Sequence, residues 1–207
     1  MNTKTDQENF WSGEFGDEYI KRNENNQLFT SNINFFIKAL NRTKNIKSCI
    51  EFGSNVGMNI KALKTIYPNL NFHAIEINKK AAQVLEDIIP SENIFQQSIL
   101  NFESKKKWDL TLVKGVLIHI NPEKLYEVYQ KIVNSSNKYI LIGEYYSRNP
   151  ESLVYRGHSN KLFKRDFTGE ILDLFPKLTL LDYGFIYHRD PKFPQDDISW
   201  FLLEKNN

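Results

Sequence analysis

Glu51, Gly53 and Gly57, followed at a distance by Glu76, have the residue types and spacing that suit a nucleoside site. The stretch Cys49–Ile60 reads CIEFGSNVGMNI. An apolar run from Ile46 to Phe52 ends in Glu51-Phe52-Gly53, a small-residue loop of Ser54 and Asn55 follows, and a helical pattern opens after Gly57. That is a strand, a tight glycine turn and a helix. A glycine at the strand exit lets a ligand lie against bare backbone, because no Cβ stands in the way, and the helix start presents unpaired N–H groups. The next apolar run, Phe72–Ile77, carries Glu76 near its end, and an acid after the second strand grips a ribose diol. Dinucleotide sites read G-x-G-x-x-G, the middle glycine admitting a pyrophosphate. Here the middle position is Asn55, which argues against a dinucleotide.

Three further groups could act on a bound molecule. His119, in Leu117-Ile118-His119-Ile120, either ties down its loop or meets an acceptor as a general base. Glu144-Tyr145-Tyr146 leaves the fifth strand, where Tyr145 could serve catalysis and Glu144 and Tyr146 could face substrate, or the tyrosines could simply wall a pocket. Tyr155–Lys161 reads as an inserted loop, either solvated or built to hold a polar or anionic acceptor through Arg156 and Lys161. His158 within it is the preferred base for a hydroxyl acceptor. Lys164, Arg165 and Asp166 suit the cap of the next helix, and His73 falls inside a strand as a core residue. His188 is near a strand end without supporting neighbours. No His/Cys cluster has metal-ligand spacing, so no metal is expected.

Positioning these groups requires alternating strands and helices. A helix starts at Thr30 or Ser31, with Ile33, Phe36, Ile37 and Leu40 on one face. Helical sets follow at Ile60, Leu63 and Tyr67, stopped by Pro68, and at Ala81, Val84, Leu85 and Ile88, ended by Pro90. Asn93–Gln96 is a short third strand and Trp108–Val113 a fourth. Asn121-Pro122-Glu123 opens a helix, Lys138–Gly143 is a fifth strand, and Phe167–Phe175 a last helix. Leu178–His188 and Ile198–Glu204 pair as an antiparallel hairpin across a Pro-rich link. The whole is one α/β domain over 1–207, a mostly parallel doubly wound sheet. Ligands bind such sheets at the carboxyl ends of the strands, so the loops at Gly53, Glu76, Ser98, Lys114 and Glu144 share one cleft. Residues 1–9 read as loose. Phe10–Asn23 is aromatic, with Trp11, Phe15 and Tyr19 at i, i+4, i+8, and residues 1–28 form a lid or a capping segment.

Charge and composition narrow the partners. A net charge of +2, from 27 basic and 25 acidic residues, lacks the strongly basic face of nucleic-acid binders. The single Cys49 lies in an apolar strand, as a core residue in a reducing compartment. No run approaches membrane-spanning length and the N-terminus has no apolar h-region, so a cytoplasmic protein with no membrane partner is expected.

The order of motifs resembles the class I S-adenosylmethionine (SAM) methyltransferases over essentially the whole chain, through Glu51-x-Gly53-x-x-x-Gly57, Glu76 and Val113-Lys114-Gly115-Val116-Leu117-Ile118-His119-Ile120. The resemblance implies a Rossmann-like fold with helices on both faces of a seven-stranded sheet, SAM as cofactor, and a small-molecule acceptor. It implies that the Gly53–Gly57 loop carries the methionine part, Glu76 holds the ribose hydroxyls and Ile77 lies beside the adenine. Ser98-Ile99, without the common acid, occupies the place where the family usually offers an acid or polar group to the adenine amine. Arg22, one turn from Tyr19 on the lid, could pair with the methionine carboxylate. More narrowly, FWSGEFGDEYIKRN, IEFGSNVGMN and KGVLIHINP are similar to methylases associated with pseudaminic acid biosynthesis, implying a sugar, nucleotide-sugar or nonulosonic-acid acceptor. A nicotinamide oxidoreductase, a nucleic-acid methyltransferase, a SAM-binding module without turnover and a structural partner in a sugar-pathway complex are the competing readings. Glycine spacing opposes the first. Charge, and the absence of an N/D-P-P-Y signature where Lys114-Gly115-Val116-Leu117 stands, oppose the second.

Overall fold

The computed structural model describes residues 4–20 and 26–206. Five parallel strands form the body of the sheet: β1 (Ser48–Phe52), β2 (Asn71–Glu76), β3 (Ile94–Gln96), β4 (Trp108–Lys114) and β5 (Ser136–Glu144). The hairpin β8 (Leu178–Ile186) and β9 (Ile198–Lys205) closes one edge, β9 running antiparallel to β5. The strand order is β3-β2-β1-β4-β5-β9-β8 in a seven-stranded sheet. Chain direction across the sheet therefore reverses between β1 and β4, and the crevice above their carboxyl ends is where such a sheet takes a ligand.

Alternation along the strands divides the core into two layers. Ile50 and Phe52 point to one face with Ile75 and Val113, covered by α6 (Leu125–Ser135) and α7 (Phe167–Leu174). Cys49 points to the other with Leu110 and Leu112, under α3 (Asn26–Ala39), α4 (Met58–Ile66) and α5 (Lys79–Leu85). Helices thus cover both faces, as expected. The expected caps and stops hold at Asn121, whose side chain accepts from the Glu123 N–H, and at Asp166, which accepts from the Gly169 N–H.

Three local expectations are corrected. The helix expected from Thr30 or Ser31 begins at Asn26. The Thr30 hydroxyl does not cap it but donates back to the Asn26 and Gln27 carbonyls, the alternative use of such side chains inside a helix. Residues 6–9, within the stretch read as loose, belong to helix α1 (Asp6–Ser12). Its capping box has the Glu8 N–H donating to the Thr5 hydroxyl and the Thr5 N–H donating to Glu8. Gly13 breaks the chain before α2 (Glu14–Ile20). The Tyr155–Lys161 segment is not a loop but part of a second hairpin, β6 (Glu151–Tyr155) and β7 (His158–Lys164), turned through Arg156 and Gly157 at φ 51° and 85°.

Candidate functional site

One cleft of about 290 Å³ opens at the carboxyl ends of β1, β2, β3 and β4. Its floor is the β1 exit. Gly53 sits at φ +73°, and a Cβ there would lie 2.6 Å from a Val116 methyl, so only glycine leaves both the turn and the floor intact. At the β2 exit the Glu76 carboxylate is buried, accepting the Asn55 N–H at 2.6 Å and the Asn78 N–H at 2.7 Å. Burial raises its pKa while those backbone donors, with that of Ile77, pull it down. One carboxylate thus ties the glycine loop to the next strand's exit and remains in the cleft wall. Ile77, Ser98 and Ile99 continue that wall, and Ser54, Asn55 and Lys114 line the β1 and β4 side.

The helices α1 and α2 are seated on this cleft. Trp11 and Tyr19 line it, and although Gly13 separates α1 from α2, Trp11 meets Phe15 and Tyr19 at ring separations of 5.5 and 5.2 Å. The Asn78 side chain donates to the Trp11 carbonyl and to Asp17, which also pairs with Lys80 at 2.6 Å. Gly16 permits the approach, since a Cβ there would run into the Trp11 carbonyl. From the other side, Gln7 donates to the Asn160 carbonyl of the β6–β7 hairpin. Arg22 lies outside the described residues.

Solved structures share this architecture. A SAM-dependent methyltransferase of Leishmania major superposes with a TM-score of 0.71 at 13% identity, covering 97% of this chain and 87% of that one. Magnesium protoporphyrin IX methyltransferase of Synechocystis, with bound SAM, gives 0.66 at 13% identity over 100% of both chains. The Burkholderia thailandensis 1,6-didemethyltoxoflavin N1-methyltransferase, holding its substrate and S-adenosylhomocysteine (SAH), gives 0.67 at 13% identity, covering 97% of this chain and 87% of that one. The fold is that of the class I SAM-dependent methyltransferases. No protein-family model matches the chain, and no curated protein resembles it in sequence.

Within the methyltransferase fold the remaining candidates separate by strand parity. At the β5 exit, Tyr145 faces the cleft and its hydroxyl donates to Asp196 at 2.7 Å. Its neighbours Glu144 and Tyr146 turn to the opposite side. Glu144 is buried, accepting the Val116 and Leu117 N–H groups at 2.9 and 3.0 Å. It braces the β4 exit loop and does not face the cleft as a substrate ligand would. Tyr146 is exposed, 6.3 Å ring to ring from Phe201.

His119 lines the cleft between the rings of Trp11 and Tyr155, at 4.6 and 5.0 Å. Its Nδ1 lies 2.6 Å from the Lys161 carbonyl. A carbonyl can only accept, so Nδ1 carries the hydrogen and Nε2 is the acceptor. Burial pushes the imidazole down to about 4. The other hairpin candidates stay outside the cleft. His158 is exposed, stacked edgewise on Phe10 and Phe15. The Arg156 guanidinium lies over the Tyr155 ring, and the Lys161 ammonium over Phe10. Sequence reasoning missed the partners that the fold brings from afar: Gln7 and Glu8 of α1, Asn78, and Gln195 and Asp196 of the β8–β9 link.

The other two motif residues also point elsewhere. Gly57, at φ +75°, faces the end of α5 and the segment after it, where a Cβ would lie 2.7 Å from Leu85 and Ile88 methyls. It lets the start of α4 lie close to Leu85 and Ile88 and does not line the cleft. Glu51 has the parity of Cys49 and is buried on the α4 side, accepting from the Asn59 amide at 2.7 Å. Burial raises it to about 8, against the lowering effect of Asn59 and Lys114, and burial lowers Lys114 to about 8. Among the described residues no group of His, Cys, Asp and Glu could hold a metal ion, and no helix is long and apolar enough to cross a membrane.

The raised carboxyls make stability pH-dependent. A carboxyl whose folded pKa exceeds its ordinary 4.5 binds its proton more tightly when folded, so stability is lost as pH rises from 4.5 to the folded value, about 8 for Glu51 and about 7 for Glu144. His119 and His73, both held near 4 by burial, act oppositely but only below their ordinary 6.5. Lys114, lowered to about 8, also acts oppositely but mainly above that value, so between pH 6.5 and 8 the carboxyls dominate. In denaturant titrations the protein should lose on the order of 1 kcal/mol across that window. Glu51→Gln, which keeps the acceptor for Asn59, should flatten the slope. An equally steep slope in the variant would place the titration elsewhere.

Proposed function

We propose that the protein is a cytoplasmic SAM-dependent methyltransferase that transfers a methyl group in line to oxygen or nitrogen of a small polar acceptor. The observation that carries this is the Glu76 carboxylate, fixed in the cleft wall by two backbone donors opposite the bare backbone of Gly53. The fit is supported by groups that want a ligand. Gln7 Oε1 and Trp11 Nε1 belong to cleft-lining residues, yet both atoms are buried without hydrogen-bond partners. SAM, when bound, supplies an electrophilic methyl on a sulfonium.

The chain's own residues do the rest. Glu76 accepts from the ribose hydroxyls, Gly53 admits the methionine part against its backbone, and Ile77 and Ile99 flank the adenine. Lys114, half-buried in the cleft near Asn32, holds the methionine carboxylate. On the acceptor side Trp11, Tyr19 and Tyr155 exclude water, and the Tyr145–Asp196 pair and His119 Nε2 orient the acceptor's polar hydrogen. An imidazole held near 4 is a weak proton acceptor at neutral pH. Alignment in a dry pocket therefore carries the rate, a contribution that can reach roughly 7–11 kcal/mol.

A sugar, nucleotide-sugar or nonulosonic-acid intermediate is the first acceptor class to test. It rests on the similarity of the aromatic opening segment, whose Trp11 and Tyr19 are cleft residues. Calorimetry with SAM, SAH and NADH tests the cofactor. Mass spectrometry of purified protein with SAM and such a panel tests the acceptor, a gain of about 14 mass units marking methyl transfer. Binding of NADH in preference to SAM would end this reading.

A further inference from the structure

The cleft wall beside Ser98 has an acid that does not come from the sheet. Glu8, in the first turn of α1, lines the cleft together with Ser98, Ile99 and Ile77. Its carboxylate accepts the Thr5 N–H at 2.6 Å. Partial burial opposes its ionisation, but the Ser98 hydroxyl, the Thr5 backbone and hydroxyl, and Lys4 together hold it below the ordinary carboxylate range. Ser98 itself is buried, its oxygen accepting the Leu100 N–H. That leaves its hydroxyl hydrogen for Glu8. The β3 exit thus carries a hydroxyl, and the lid lays an ionised carboxylate against it.

We propose that Glu8 is the specificity-determining acid for the purine edge of the cofactor, delivered by the lid helix and accepting a hydrogen bond from the exocyclic amine of adenine. The proposal rests on the SAM reading of the cleft. A carboxylate offers about four acceptor directions, so Thr5 and Ser98 leave it capacity for an amine donor. The same helix face carries the two unpartnered buried atoms, Gln7 Oε1 and Trp11 Nε1. The lid is in turn anchored at Asn78 of the β2 exit, at Lys80 of α5 and at Asn160 of the hairpin. Adenine contact and lid docking therefore support each other, and cofactor release requires the lid to lift.

The test is calorimetric binding of SAH and of S-inosylhomocysteine, in which a carbonyl oxygen replaces the amine. Wild type should bind SAH and disfavour the inosyl analogue by roughly tenfold or more, since a carboxylate facing a carbonyl has no hydrogen to share. Glu8→Gln keeps an acceptor for Thr5 and can donate from its amide, so its preference should shrink toward equality or invert. Thr5→Ala loosens the cap but leaves the carboxylate, so it should weaken both ligands alike and keep the wild-type ratio. An unchanged ratio in Glu8→Gln overturns the role of Glu8 while leaving the cleft a SAM site. Failure of wild type to bind SAH overturns both.

Discussion

Glu76→Ala is expected to weaken SAH binding by more than roughly tenfold, because the variant lacks the acceptor for the ribose diol and leaves donors without partners. The carboxylate accepts the Asn55 N–H at 2.6 Å and the Asn78 N–H at 2.7 Å. It therefore holds the glycine loop and the β2 exit in register as well as facing the cleft. Orphaning two buried N–H groups costs about 1–3 kcal/mol each at most. Removing a carboxylate whose pKa burial has raised returns part of that, since its desolvation was unfavourable in the folded state. Ligand affinity should thus fall by more than thermal stability does. Glu76→Gln, isosteric but with an amide N–H₂ set against a backbone N–H, should show the same affinity loss. Calorimetry beside a melting curve separates the two effects. Unchanged affinity in a folded Glu76→Ala protein would remove the central residue of the site.

The sheet was legible because its signals are local: apolar runs closed by glycine or proline, and capping residues at Asn121 and Asp166. The β6–β7 hairpin was not, because Arg156 stands at the first positive-φ turn position, where Asn, Asp or Gly is the usual marker. Helix α1 was legible in principle, since Thr5-Asp6-Gln7-Glu8 spells a capping box. At the β5 exit the three adjacent candidates Glu144, Tyr145 and Tyr146 could not all share a face, because side chains alternate along a strand. The sequence marked the exit but not the parity, and only Tyr145 faces the cleft. Asp196 reaches Tyr145 from 51 positions away, and Glu8 meets Ser98 from a different element, contacts that no local pattern encodes.

The same limit divides the two glycines of the opening motif, and their alanine variants should differ in kind. Both have positive φ, so each alanine incurs left-handed strain of about 1–2 kcal/mol. At Gly57 the new methyl meets the ends of Ile88 and Leu85, flexible side-chain tips buried in the core. At Gly53 it meets both methyls of Val116, a β-branched residue with little rotamer freedom that lines the cleft. Gly57→Ala should therefore lower the melting temperature, with about 2 kcal/mol lost, yet bind SAH as wild type does once folded. Gly53→Ala should lose a comparable amount of stability and more than roughly tenfold in SAH affinity, because the displaced Val116 and the added methyl occupy the floor on which the ligand must lie. Equal affinity losses in the two variants would mean that the glycine loop acts as a single rigid unit and that cleft contact is not what distinguishes its members. A Gly53→Ala protein of full affinity would mean the ligand does not rest on that backbone at all.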